Sequence, residues 1–185
     1  MKIVVLSSYR TGSTAFCNAL SKMYSIKNYD EYFHRDRTHA DFDTVKSKGY
    51  VIKIMPDQII EPYFTELIQS SLVYGIYRID VVKQIASYFI SMHRNVWHNK
   101  NSNDTEKYEI SFDPAHVRLV AKQILEFNKD YEEKLRPLCS KEFIYENIQP
   151  VLKISDFNRY NKPVNYQELI DTIQILVNKE NENIR

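Results

Sequence analysis

The sequence predicts an α/β fold, a single domain over residues 1–185 with a mostly parallel central sheet flanked by helices. Three observations carry that prediction. Apolar runs of strand length alternate along the chain with segments of helical periodicity, the pattern of strands joined by crossover helices. The first apolar run, Ile3 to Leu6, leads into a helical segment through the polar turn Tyr9-Arg10-Thr11-Gly12-Ser13-Thr14. At 185 residues, 43% hydrophobic and 26% charged, the chain is long enough to bury one substantial core.

Each element follows in order. Ala15, Phe16, Ala19, Leu20 and Met23 recur at helical spacing and predict a helix over 13–24. A polar stretch runs from Lys27 to Asp43. Gly49 then introduces the strand Tyr50 to Met55, before a helix around Glu61 to Gln69 with Pro62 in its first turn. Leu72 to Tyr77 is the third strand. Asp80 is suited to cap the next helix, where Val81, Val82, Ile85, Ala86, Phe89 and Ile90 make one apolar stripe directed toward Trp97. Residues 99–111 are rich in loop formers and lack periodicity; they read as a mobile lid or linker, or as a solvated loop. Asp113-Pro114 opens a long helix carried by Val117, Val120, Ile124, Phe127, Tyr131 and Leu135 as far as Arg136-Pro137. A short strand at Phe143 to Tyr145 follows. Asn165, with Glu168 as capping-box partner, announces the last helix, and residues 180–185 are expected to fray.

Composition removes several function classes. A formal net charge of +1 gives no reason to expect nucleic acid or an anionic membrane as partner. The first apolar run is too short for a signal-peptide core or a membrane span, so a soluble protein is expected. The two cysteines, Cys17 and Cys139, have neither zinc-binding nor redox spacing and suit a reducing cytoplasm. Cys17, one turn into the first helix, reads as a small buried apolar residue.

The turn after the first strand carries the chemistry. Gly12 lets the backbone approach an anion, and the hydroxyls of Ser13 and Thr14 and the amides of the following helical turn point toward it. Compared with the nucleotide-triphosphate loop G-x-x-x-x-G-K-[ST], Gly12 and Thr14 fit, while Ser7 replaces the first glycine and Ser13 the lysine. The cation lies inside the loop as Arg10. The domain is therefore P-loop-like rather than a standard P-loop. This R-[ST]-G-[ST]-T arrangement resembles the 5′-phosphosulfate loop of sulfotransferases, which use 3′-phosphoadenosine 5′-phosphosulfate (PAPS).

Other segments resemble the same family in the same order. Arg78 ends the third strand and Ser87 lies on the next helix; in sulfotransferases an arginine and a serine so placed hold the 3′-phosphate of the cofactor, by bidentate and hydroxyl contacts. Ser87 falls nine positions after Arg78, one more than the commoner family pattern. Asp30-Glu31-Tyr32-Phe33 is similar to the acceptor-side E-Y-F segment of the bacterial trehalose sulfotransferase type, and Lys53-Ile54-Met55 to its K-[IL]-M strand. Ile144-Tyr145-Glu146-Asn147-Ile148 resembles a Y-E-[DN]-[LI] segment read as structural.

The resemblance implies sulfuryl transfer from PAPS to a hydroxyl or amine of a small-molecule or carbohydrate acceptor, with no metal. The cofactor-binding residues it implies are Arg10, Thr11, Gly12, Ser13, Thr14, Arg78 and Ser87. Arg10 is expected to supply transition-state charge as well. Asp30, Glu31, His34, Asp36 and His39 are available as the base; the resemblance selects Glu31, with His34 in reserve because imidazole titrates near neutrality. His34 and His39 lack partners at metal-ligand spacing. Lys53 either faces the cofactor or extends to solvent. Two other classes remain: a P-loop kinase or NTPase with a degenerate loop, Thr14 and Asp80 holding magnesium, and a non-catalytic nucleotide-binding protein.

Overall fold

A computed structural model describes residues 1–34, 42–94, 108–150 and 163–182. The part of the expected 99–111 loop before Tyr108, the far end of the expected fraying segment, and the candidates Asp36 and His39 lie outside those residues. The α/β fold is present, and its chain is organised as two compact units: Met1–Ile79 with Phe127–Ile154, and Asp80–Glu126 with Ser155–Arg185.

The first unit holds the sheet. Its strands are β1 (Lys2–Ser7), β2 (Lys27–Asn28), β3 (Tyr50–Ile54), β4 (Leu72–Tyr77) and β5 (Lys141–Ile144). All pair in parallel, in the order β2-β3-β1-β4-β5. Between them run α1 (Ser13–Tyr24), α2 (Phe42–Lys46) and α3 (Tyr63–Ser70). The two-residue β2 lies in the stretch that read only as polar and the short α2 begins at its end, and neither is long enough to leave a periodic signature.

The side-chain period of two separates the sheet faces. Val4, Leu6, Ile52 and Ile54 pack with Phe42, Val45, Phe64 and Leu67 of α2 and α3. Ile3, Val5 and Val51 pack instead with Phe16, Cys17 and Leu20 of α1. That division is what right-handed crossovers require: the path from β1 leaves toward β2, while the next two connections return across the sheet. The two arms of the fold therefore diverge between β1 and β4. At such a switch point the carboxyl ends of neighbouring strands open a crevice suited to ligands.

The predicted helix from Asp113-Pro114 is α5 (Pro114–Asp130), which widens into a π turn (Tyr131–Leu135) and then tightens into a 3₁₀ turn (Arg136–Leu138). Tyr131 and Cys139 lie against β4 at Gly75, where an added Cβ would stand 2.8 Å from Cys139 Sγ and closer still to the Tyr131 hydroxyl. The fifth strand begins two residues earlier than predicted, and Tyr145 opens α6 (Tyr145–Ile148) instead of closing the strand.

In the second unit, α4 (Val81–Arg94) packs against α7 (Tyr166–Glu182). Asp80 caps α4 as expected, accepting from Lys83 N at 3.0 Å. The side chain of Asn165, read as a helix cap, has a tertiary role: its carboxamide accepts from Ile110 N and donates to Ile110 O, at 3.2 and 2.8 Å. No helix among the described residues is long and apolar enough to cross a membrane.

Candidate functional site

The loop Ser7 to Thr14 leaves the central strand at its carboxyl end and closes onto α1. Arg10 (φ 57°) and Gly12 (φ 74°) are both left-handed, the second as the N-cap of α1. Left-handed residues on both sides of Thr11 are what a turn needs if successive amides are to face one anion, as in a backbone nest. Thr11 points back into the fold, its Oγ1 donating to Ser8 O at 3.1 Å. Ser7 and Ser8 have fully buried hydroxyl oxygens that meet no hydrogen-bond partner among the described residues. Buried hydroxyls are ordinarily satisfied, so two orphans at the mouth of one loop mark a place for a polar ligand or water.

Arg78 lies at the end of β4, one residue past the strand and across the β1/β4 crevice from the loop. Its guanidinium carbon sits 4.8 Å from the centre of the Tyr145 ring, and its Nε is 3.6 Å from Glu146 Oε1. Glu146 Oε2 also accepts from Ile79 N at 3.2 Å. Tyr145 also covers Gly12: a Cβ there would meet Tyr145 Cδ2 at 2.5 Å. One aromatic ring thus contacts both the loop glycine and the strand-end arginine. The Tyr145-Glu146 pair read as structural from the sequence does structural work, but on the two proposed phosphate-binding residues themselves.

Glu31 reaches the loop through Lys53. After β2 the chain stays beside β3, with Tyr29 N donating to Val51 O at 2.9 Å and Lys53 N to Asp30 O at 2.8 Å. The left-handed Asp30 (φ 52°) then turns Glu31 back toward the sheet. Lys53 shares the α1-facing side of β3 with Val51. Only 3% exposed, its ammonium stands 2.7 Å from Thr14 Oγ1, 2.8 Å from Glu31 Oε1 and 3.1 Å from Asp30 Oδ1. Gln58 Nε2 donates to the other Glu31 oxygen at 3.0 Å. The question left by the sequence, whether Lys53 faces the site or solvent, is answered by its burial.

The sequence reading missed Gln58 and the bridging place of Lys53. A signal for Lys53 existed: a lysine inside an otherwise apolar strand is buried only when paired. Gln58, in the short turn after β3, had none.

The remaining candidates divide between this neighbourhood and the second unit. His34 N donates to Glu31 O at 3.1 Å, which keeps that residue beside the candidate base. Ser87 belongs to the second unit, 1% exposed on α4, and its carbonyl accepts from Ser91 Oγ at 2.9 Å. Cys17 is fully buried one turn beyond Ser13, and burial, against the partial opposition of Lys53, pushes its thiol up to about 12. A thiol so protonated is no nucleophile at neutral pH. Among the described residues no group of three or more His, Cys, Asp or Glu is arranged to hold a metal ion.

No protein-family model matches this chain, and no curated protein matches it significantly.

Proposed function

We propose that the protein is a PAPS-dependent sulfotransferase acting on a hydroxyl or amine of a small-molecule or carbohydrate acceptor. The observation that carries this reading is the pairing of an arginine-bearing loop, left-handed at Arg10 and Gly12, with Arg78 across the same crevice. Two cationic positions around a strand crossover suit a ligand with two separate phosphate groups. The orphan hydroxyls of Ser7 and Ser8 fit a polyanionic occupant as well.

PAPS, when bound, supplies the sulfuryl group. Loop amides, that of Thr11 among them, bind the 5′ end together with the hydroxyls of Ser13 and Thr14, and Arg10 adds the positive charge that stabilises charge on the transferred group and leaving phosphate. Arg78 binds the 3′-phosphate, and the sequence resemblance implies Ser87 as a second donor to it. Glu31 takes the proton of the acceptor, its carboxylate paired with the Lys53 ammonium and oriented by Gln58. The reading carries a cytoplasmic location with it, supported by the free thiols of Cys17 and Cys139.

The kinase or NTPase alternative needs a divalent cation at Thr14. There Thr14 Oγ1 already accepts from an ammonium at 2.7 Å, a charge that repels a metal ion at the same oxygen. Thermal unfolding separates the two readings. At about 100 times its Kd, a native-state ligand stabilises by roughly 2.7 kcal/mol, a rise on the order of 5 to 10 °C for a chain of this length. The expected rise comes with 3′,5′-bisphosphoadenosine and no metal; a comparable rise only with ATP or GTP and magnesium reverses the assignment.

A further inference from the structure

We propose that Lys53 is an anion-contacting residue of the loop, supplying from β3 the ammonium that the loop sequence lacks at Ser13. The inference rests on the reading of the loop as an anion site. Its basis is position. The Lys53 ammonium is buried, on the face of β3 that carries α1, and hydrogen-bonded to the second residue of that helix. An anion held by the first-turn amides of α1 and by Thr14 Oγ1 shares that oxygen with the ammonium, so it lies no farther than about two hydrogen-bond lengths from Lys53, within reach of a rotation about the lysine stem.

An ammonium has three donors, and here three oxygens lie within 3.1 Å: Thr14 Oγ1, Glu31 Oε1 and Asp30 Oδ1. An arriving anion must therefore displace one of them. The longest contact is to Asp30, whose side chain is also the more exposed of the two carboxylates, 27% against 18% for Glu31. Asp30 Oδ1, although buried, makes no hydrogen bond among the described residues, so its link to Lys53 is an ion pair alone, whereas Glu31 is also held by Gln58; Asp30 is the partner given up, and Glu31 stays bound. Asp30 then acts as a placeholder counter-ion that competes with the ligand.

Competition gives the two residues opposite signs. Lys53→Met should weaken binding of both 3′,5′-bisphosphoadenosine and inorganic pyrophosphate by about 10-fold or more, the effect of one charge-assisted hydrogen bond. Lys53→Arg should retain most of the affinity. Asp30→Asn should tighten both ligands by about two- to fivefold, as removal of a partly exposed ionic competitor does. A merely structural network predicts weaker binding for every variant. The experiment is calorimetric titration of wild type and the three variants, each first checked for a cooperative melt. Unchanged affinity in Lys53→Met, or weaker binding in Asp30→Asn, overturns the proposal; if Lys53→Met does not fold, the Asp30→Asn and Lys53→Arg titrations decide it. Wild-type protein that binds pyrophosphate but not 3′,5′-bisphosphoadenosine refutes the sulfotransferase reading while Lys53 is still judged on pyrophosphate. Binding of neither ligand refutes both.

Discussion

The ring of Tyr145 lies directly on Gly12, where a Cβ would come within 2.5 Å of Tyr145 Cδ2, and the same ring carries the Arg78 guanidinium at 4.8 Å from its centre. The loop glycine is thus fixed by two demands at once, a left-handed φ of 74° and a close aromatic neighbour. Gly12→Ala should cost more than the roughly 1–2 kcal/mol of a left-handed residue alone. Denaturant unfolding measures it, and in a Tyr145→Leu background the cost should fall toward that smaller figure. A cost of no more than about 1–2 kcal/mol in the native background would show that the ring yields freely.

Arg78→Ala should weaken 3′,5′-bisphosphoadenosine by about 10-fold or more while scarcely changing adenosine 5′-monophosphate, since only the first carries the 3′-phosphate. Parallel titrations of the two nucleotides test this. Equal losses would mean that Arg78, through Glu146 and Tyr145, supports the loop instead.

Glu31→Gln keeps an oxygen for Lys53 but cannot accept a proton, so sulfuryl transfer should fall by on the order of 10² or more. The neutral amide also weakens the ion pair at 2.8 Å, so the melting temperature must be recorded beside the rate. A wild-type rate on a genuine acceptor would remove Glu31 as base and make His34→Asn the next variant to assay.

The second unit has its own titration signature. His93 is held below its usual 6.5 by burial and then by His116, whose ring centre is 5.8 Å away; both rings pack on Phe89. A depressed pKa in a basic group means that the folded state binds the proton less tightly than the unfolded one. Its contribution is present above about 6.5 and is lost as pH falls from there through the folded pKa. In an NMR titration His93 should titrate below 6.5, and His116→Ala should move it upward. No movement would leave burial as the whole cause.

The sequence by itself determined what depends on neighbours along the chain. The 3.6- and 2-residue periods place α1, β3 and β4, and Arg78 follows β4 because the apolar run ends at Tyr77. The shape of the loop was legible for the same reason: Gly12 at the N-cap and hydroxyls in the first turn are local requirements. Lys53 shows where local information ends. Its side chain joins Thr14 across 39 positions, and Gln58 joins Glu31 across 27. Those meetings depend on β3 lying beside β1 in a parallel register, and on the turn at Asp30 that brings Glu31 back over the strand. Tyr145 reaches Gly12 because β5 is the neighbour of β4, which no residue in Tyr145-Glu146-Asn147 announces. Strand order is set by which apolar faces bury most surface together. That is a property of the whole chain, so tertiary structure alone decided which charges share the site.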